Sequence, residues 1–115
     1  MFRFETLDIW KSAVSFCTEI FDIADDFPKE MTFSLGSQMR AAALSISNNI
    51  AEGSGSDSKQ DFKVFLNYAI RSLYETVSAL AVSERRGYIA TEKYKELYQD
   101  SEKLVKQIQK FKGTL

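Results

Sequence analysis

The chain has 115 residues, with 15 basic and 16 acidic side chains, no histidine and one cysteine, Cys17. This length suits one domain with its own core, and the net charge of −1 gives no general attraction for nucleic acid. Without histidine the commonest general base and most zinc sites are missing, so we expect no catalysis, no cofactor and no metal. A lone cysteine suits a reducing cytoplasm, and no apolar run is long enough to cross a membrane.

The first two helices are predicted over residues 6–26 and 33–53. Thr6 is a candidate N-cap for the first helix, and Phe27-Pro28 ends it because the residue before proline avoids the helical conformation. Gly53 is expected to close the second helix in the left-handed conformation. The second helix carries the pattern of a bundle seam, at alternating steps of four and three, in Leu35, Met39, Ala42, Ile46 and Asn49.

The last two helices are predicted over residues 57–87 and 91–112. Ser58 with Asp61 three residues later indicates an N-terminal capping box, and Gly87 follows the last turn of the third helix. Thr91 is the candidate N-cap of the fourth. Four helices joined by short turns predict an all-α, single-domain, antiparallel up-down-up-down four-helix bundle.

Polar side chains follow one flank of the seam of the second helix and a similar flank of the third. They are Gln38, Ser45, Asn49, Glu52, Ser72 and Glu75. Half-buried polar groups must find hydrogen-bond partners, so we expect a structural network that fixes the register of the helices. The alternative is a ligand or catalytic site, but Glu52 and Glu75 alone lack the Glu-x-x-His motif of di-iron bundles.

Charge is distributed unevenly along the chain. Residues 1–36 carry three basic and seven acidic groups, whereas residues 83–115 carry eight basic and five acidic groups. We expect a phosphate-binding surface made by Arg40, Arg85, Arg86, Lys103, Lys106 and Lys110. The alternative for a single copy is an ordinary solvated surface, because acidic residues lie between the basic ones.

Aromatic residues are numerous for a bundle of this size, with nine Phe, five Tyr and one Trp. Val64 and Val82 also fall on the side of the third helix opposite its seam, beside Arg71. An apolar outer face marks a partner surface, so we expect a homo-oligomer built through helix surfaces that include these three residues.

Specific motifs give the chain a family resemblance. Ser37-Gln38, Asn49-Ile50-Ala51-Glu52-Gly53 and Gly87-Tyr88-Ile89 resemble, in order and spacing, the signature of the four-helix-bundle family encoded by intervening sequences in bacterial 23S rRNA genes. Two positions depart from that signature. Ala41 stands where a second arginine is usual, and Ser47 stands where proline is usual, which favours a straighter helix.

The resemblance implies a homopentamer. It extends to the accessory variability determinant proteins of diversity-generating retroelements, which implies association with a reverse transcriptase and with RNA or DNA. We therefore expect a non-enzymatic, cytoplasmic, bacterial bundle that binds RNA in preference to DNA, weakly and without base readout. The alternative is a protein-only adaptor or scaffold, which the net charge and Ala41 favour.

Overall fold

Four long helices account for most of the chain in a computed structural model that describes residues 1–115. Their bounds, with two short 3-10 helices, are η1 (Arg3–Thr6), α1 (Asp8–Asp25), η2 (Lys29–Met31), α2 (Leu35–Ser54), α3 (Lys59–Arg85) and α4 (Thr91–Gly113). The fold class is confirmed: the protein is an all-α four-helix bundle without strands. None of its helices is both long enough and apolar enough to cross a membrane.

Neighbouring helices along the chain are neighbours in space, and α4 returns to contact α1. Aromatic contacts mark the two ends of this antiparallel arrangement. Phe27 lies 5.6 Å from Tyr88 between ring centroids at one end, and Phe62 lies 5.4 Å from Phe111 at the other. The bundle measures 43 × 24 × 21 Å.

The core runs the length of the bundle and draws on every long helix. Its largest fully buried apolar side chains are Ile20, Met39, Ile46, Ile50, Leu66, Leu73, Leu80, Leu97 and Ile108. Cys17 is buried beside them, and desolvation by burial raises the pKa of its thiol. The thiol is therefore held in its neutral, unreactive form.

Half of the capping box predicted at Ser58 and Asp61 is present. The Ser58 side chain accepts a hydrogen bond from the backbone N–H of Asp61 at 3.0 Å, so α3 begins as its sequence indicates. The Thr6 cap was a wrong prediction, because Thr6 ends η1 and its hydroxyl donates to the Arg3 carbonyl at 2.8 Å. Leu7 takes the N-cap position of α1 instead, without a side-chain hydrogen bond.

The predicted cap at Thr91 is also wrong. Thr91 is the first residue inside α4, and its hydroxyl donates to the Glu84 carboxylate at 3.0 Å rather than capping its own helix. The bond joins the end of α3 to the start of α4, across a turn in which Gly87 adopts a positive φ of 76°. Gly87 thus has the helix-ending role that its position predicts.

Gly53 does not end its helix, which corrects the prediction made for it. It lies buried inside α2, which continues to Ser54, and its φ is not positive. A Cβ at this position would meet Phe65 Cβ and Phe62 Cδ1 of α3, each at 2.8 Å. Glycine is required here by the close approach of α3, and not by a left-handed backbone.

Candidate nucleic-acid interface

Three lysines form the outward face of the second half of α4. Lys103, Lys106 and Lys110 are all exposed, and their spacing of three and four residues puts them on one side of the helix. None lies within ion-pair distance of a carboxylate, since the ion pairs of the protein involve only Arg40 and Lys93. Their charges are therefore free to meet phosphates. We call this set the α4 lysine face.

Lys11 joins this surface from α1, and helix-by-helix reading of the sequence missed it. Lys11 and Lys103 line a polar groove of about 360 Å³ between α1 and α4, together with Ser12, Ser15, Gln107 and two acidic residues, Glu19 and Asp100. The two lysines are far apart in sequence, so only the packing of α1 on α4 brings them together. The signal available in the sequence was the bundle topology itself, which makes the first and last helices neighbours.

Arg85 and Arg86 lie away from the α4 lysine face. Both are exposed at the end of α3, where the Arg86 guanidinium lies 5.9 Å from the ring centroid of Tyr88. Lys103 to Lys110 follow the start of α4 by 12 to 19 residues, which corresponds to roughly 18 to 29 Å along the helix axis. The predicted basic residues thus form two separate patches.

Arg40 belongs to neither patch. Its guanidinium donates to the Asp25 carboxylate at 2.7 Å and to the Thr32 carbonyl at 3.2 Å, and the residue is half-buried. These contacts tie α2 to the end of α1 and to the segment that joins them. The structure thus corrects the predicted basic surface, because Arg40 is engaged in holding a turn.

An acidic cluster limits the basic surface at the first half of α4. Carboxylate oxygens of Glu19, Glu96 and Asp100 lie within 4.8 Å of one another. Lys93 donates to Glu96 at 3.2 Å and to Glu19 at 3.5 Å, and the hydrogen bond to Glu96 is the main reason that the pKa of Lys93 is raised. A lysine already neutralises part of this cluster, whose remaining negative charge disfavours phosphate there.

The predicted polar network reduces to three residues. The Asn49 amide donates to the Ser45 hydroxyl at 2.9 Å, and the Ser72 hydroxyl donates to the same oxygen at 2.9 Å, which links α2 to α3. Gln38 and Glu52 are exposed, so their assignment as half-buried was wrong, and Glu75 is exposed as well. Each lies too far round its helix to reach the seam. The linked hydroxyls and amide offer no base and no nucleophile-activating pair.

The predicted oligomer surface lies on the outward side of α3, where exposed polar residues also occur between its two valines. Val64 and Val82 are 37% and 48% exposed, and Arg71 is exposed between them. Tyr68, which sequence reasoning passed over, lies under the Arg71 guanidinium with 5.9 Å between the guanidinium carbon and the ring centroid. Val64, Tyr68 and Val82 are the large apolar side chains exposed on this side of α3, and they keep it a candidate contact surface.

Comparison with known proteins identifies the fold family. Residues 5–110 match the family described as the 23S rRNA-intervening sequence protein. The chain belongs to this family. Its bundle is also similar to a protein with unknown function of the S23 ribosomal protein family from Bacteroides thetaiotaomicron VPI-5482, at 25% identity and a TM-score of 0.84, over 91% of this chain and 95% of that one. A search of curated proteins finds no match.

Proposed function

We propose that this member of the 23S rRNA-intervening sequence protein family is a non-enzymatic, homo-oligomeric bundle of the bacterial cytoplasm that binds RNA. The α4 lysine face contacts phosphates, with Arg85 and Arg86 as a second patch. Binding is weak and reads no bases, because exposed lysines on one helix face supply charge without a shaped pocket for a base. RNA is preferred to DNA, and a reverse transcriptase is a candidate protein partner; both assignments rest on family resemblance.

The observation that carries the proposal is that Lys103, Lys106 and Lys110 are exposed without ion-pair partners. One copy offers only a few such charges. A closed ring of copies repeats them, and their fields add. Assembly into a homo-oligomer is part of the proposal; the sequence predicts Val64, Arg71 and Val82 as part of its contact surface, and resemblance suggests five copies.

A fluorescence anisotropy titration with a structured RNA at two salt concentrations tests phosphate binding. If three phosphates are contacted per copy, affinity falls about 20- to 40-fold per engaged copy between roughly 50 and 200 mM salt. The double variant Lys103→Glu, Lys106→Glu reverses the charge of the α4 lysine face and is expected to abolish binding.

The matched control is the double variant Lys29→Glu, Lys59→Glu. It makes the same change in net charge at two exposed lysines that lie outside the α4 lysine face. We expect it to retain most of the binding of the wild type. Equal binding by both double variants, or no binding by the wild type at low salt, would reject the RNA assignment.

A protein-only adaptor is the second candidate function. The acidic cluster of Glu19, Glu96 and Asp100 and the engagement of Arg40 both reduce the positive field of the bundle. Binding through apolar helix surfaces depends little on salt. A partner that binds equally well at both salt concentrations, in a protein without RNA affinity, would favour this function.

A further inference from the structure

A groove between α3 and α4 leaves apolar side chains uncovered. It encloses about 560 Å³, and its apolar lining comprises Leu73, Tyr74, Val77, Tyr98 and Val105. Tyr74 and Tyr98 are 62% and 43% exposed. Tyrosines with this exposure beside valines are typical of the centre of a protein contact, because they bury a large area at a small cost in side-chain entropy. We call this surface the α3–α4 groove.

A second apolar groove lies on the other side of the bundle, between α1 and α2. It encloses about 320 Å³, and its apolar lining comprises Val14, Cys17, Phe21 and Leu44. Thr18, Asp22 and Ser47 complete the lining. Leu44 is 44% exposed. Since the helices pack in ring order, the α1–α2 groove and the α3–α4 groove face in opposite directions. Both occupy the middle of their helices, so the two surfaces lie at the same height along the bundle.

The two halves of the bundle carry opposite charge. Helices α1 and α2 together have two basic and five acidic residues, a net charge of −3, whereas α3 and α4 have ten basic and seven acidic residues, a net charge of +3. At the grooves themselves, Asp22 borders the first, and Lys106 and Glu102 border the second. The half with the α1–α2 groove is therefore electrostatically complementary to the half with the α3–α4 groove.

We propose that the α3–α4 groove of one copy takes the α1–α2 groove surface of a second copy, with the two bundles side by side. This inference rests on the homo-oligomer in the proposed function, and it assigns the interface to the two grooves in place of the outward side of α3. The bundle is 43 Å long and 24 Å wide, so one side has room for an interface of the usual size, roughly 800 Å² per partner. Joining two different faces leaves one of each kind free at the ends, so assembly continues beyond two copies; it closes into a ring where each copy is rotated against the last, and it forms an open row where it is not.

Two single variants test the faces separately. Leu44→Glu places a charge on the α1–α2 groove, and Tyr98→Glu places one on the α3–α4 groove, both at exposed positions where the fold tolerates it. Light scattering at micromolar concentration is expected to give an assembled wild type and two monomers of 13.1 kDa. Helical circular dichroism equal to that of the wild type shows that each variant is folded, and Tyr74→Glu, at a 62% exposed position of the same groove, replaces Tyr98→Glu if that variant unfolds.

Mixing the two variants separates this interface from any other. Each variant keeps one intact face of the opposite kind, so an equimolar mixture is expected to form a dimer of twice the monomer mass and nothing larger. If either variant alone assembles like the wild type, or if the mixture stays monomeric, the proposed interface is wrong while the homo-oligomer stands. A monomeric wild type would overturn the homo-oligomer and this interface together.

Discussion

Substitution of Gly53 by alanine tests how closely α2 and α3 approach. Inside a helix, this change alone should stabilise the protein, because alanine is favoured over glycine by about 1 kcal/mol. At Gly53 the new Cβ would lie 2.8 Å from Phe65 Cβ and 2.8 Å from Phe62 Cδ1. Ordinary contacts between such atoms begin near 3.4 Å, so both are too short by about 0.6 Å.

Neither contact can be relieved by rotating a side chain. The Phe65 atom is a Cβ, fixed to the backbone of α3. Phe62 is 2% exposed and held between Phe111 and the Arg3 guanidinium, which lies 5.1 Å from its ring centroid. The helices must therefore separate, and overpacking of this kind costs about 3 kcal/mol at the upper end of its usual range. Subtracting the gain in helix propensity leaves a destabilisation of about 2 kcal/mol.

Thermal unfolding followed by circular dichroism measures this difference. For 115 residues the unfolding entropy is about 0.24 kcal/mol/K, so the expected loss is a Tm about 8 °C lower than that of the wild type. Gly113→Ala is the matched control, because Gly113 ends α4 with nothing within 4 Å of the added Cβ. It should leave Tm unchanged or slightly higher. A Gly53→Ala protein as stable as this control would show that α2 and α3 are not so close.

Three further substitutions or reactions probe other parts of the bundle. Ser72→Ala removes the hydroxyl that links α3 to α2 and should lower the free energy of unfolding, measured by chemical denaturation, by about 1 kcal/mol. Ser78→Ala, at an exposed site of the same helix, should leave that free energy unchanged. Arg40→Ala should lower the free energy of unfolding by about 1 kcal/mol and leave RNA affinity unchanged. Lys106→Ala should instead weaken RNA binding. The Cys17 thiol should react with a disulfide reagent at mildly alkaline pH only after urea unfolds the protein. Burial raises the pKa of the thiol and blocks access of the reagent. Rapid reaction in the native state would contradict the burial of Cys17.

The fold was predictable because each helix carries an apolar seam at helical spacing and the turns between helices are short. Leu66, Leu73 and Leu80 recur at steps of seven on α3 and are all fully buried. Spacing of this kind depends only on the geometry of one helix, and it can be read without knowledge of the partner helix. The same holds for the Ser58 cap, in which donor and acceptor are three residues apart.

The features that sequence reasoning missed depend on contacts between helices. Gly53 looks like a helix terminator until Phe62 and Phe65 are placed beside it. Arg40 looks like a free cation until Asp25, fifteen residues earlier, is placed within 2.7 Å. The periodicity of a single helix gives no information on either neighbour. The caps predicted at Thr6 and Thr91 failed for a different reason: their hydroxyls donate to the Arg3 carbonyl and the Glu84 carboxylate, and neither accepts a hydrogen bond from the first turn of a helix.

Close packing and surface charge are carried by different helices, and this separation makes the proposed function testable. The interface of α2 with α3 contains the steric limit at Gly53 and the hydroxyl link at Ser72, so substitutions there change stability. The α4 lysine face makes no hydrogen bond or ion pair within the bundle, so reversing its charge removes no internal contact. A loss of RNA affinity in the Lys103→Glu, Lys106→Glu variant would therefore report the surface itself if Tm and the assembled mass are both unchanged, because unfolding would lower Tm and Lys106 also borders the α3–α4 groove.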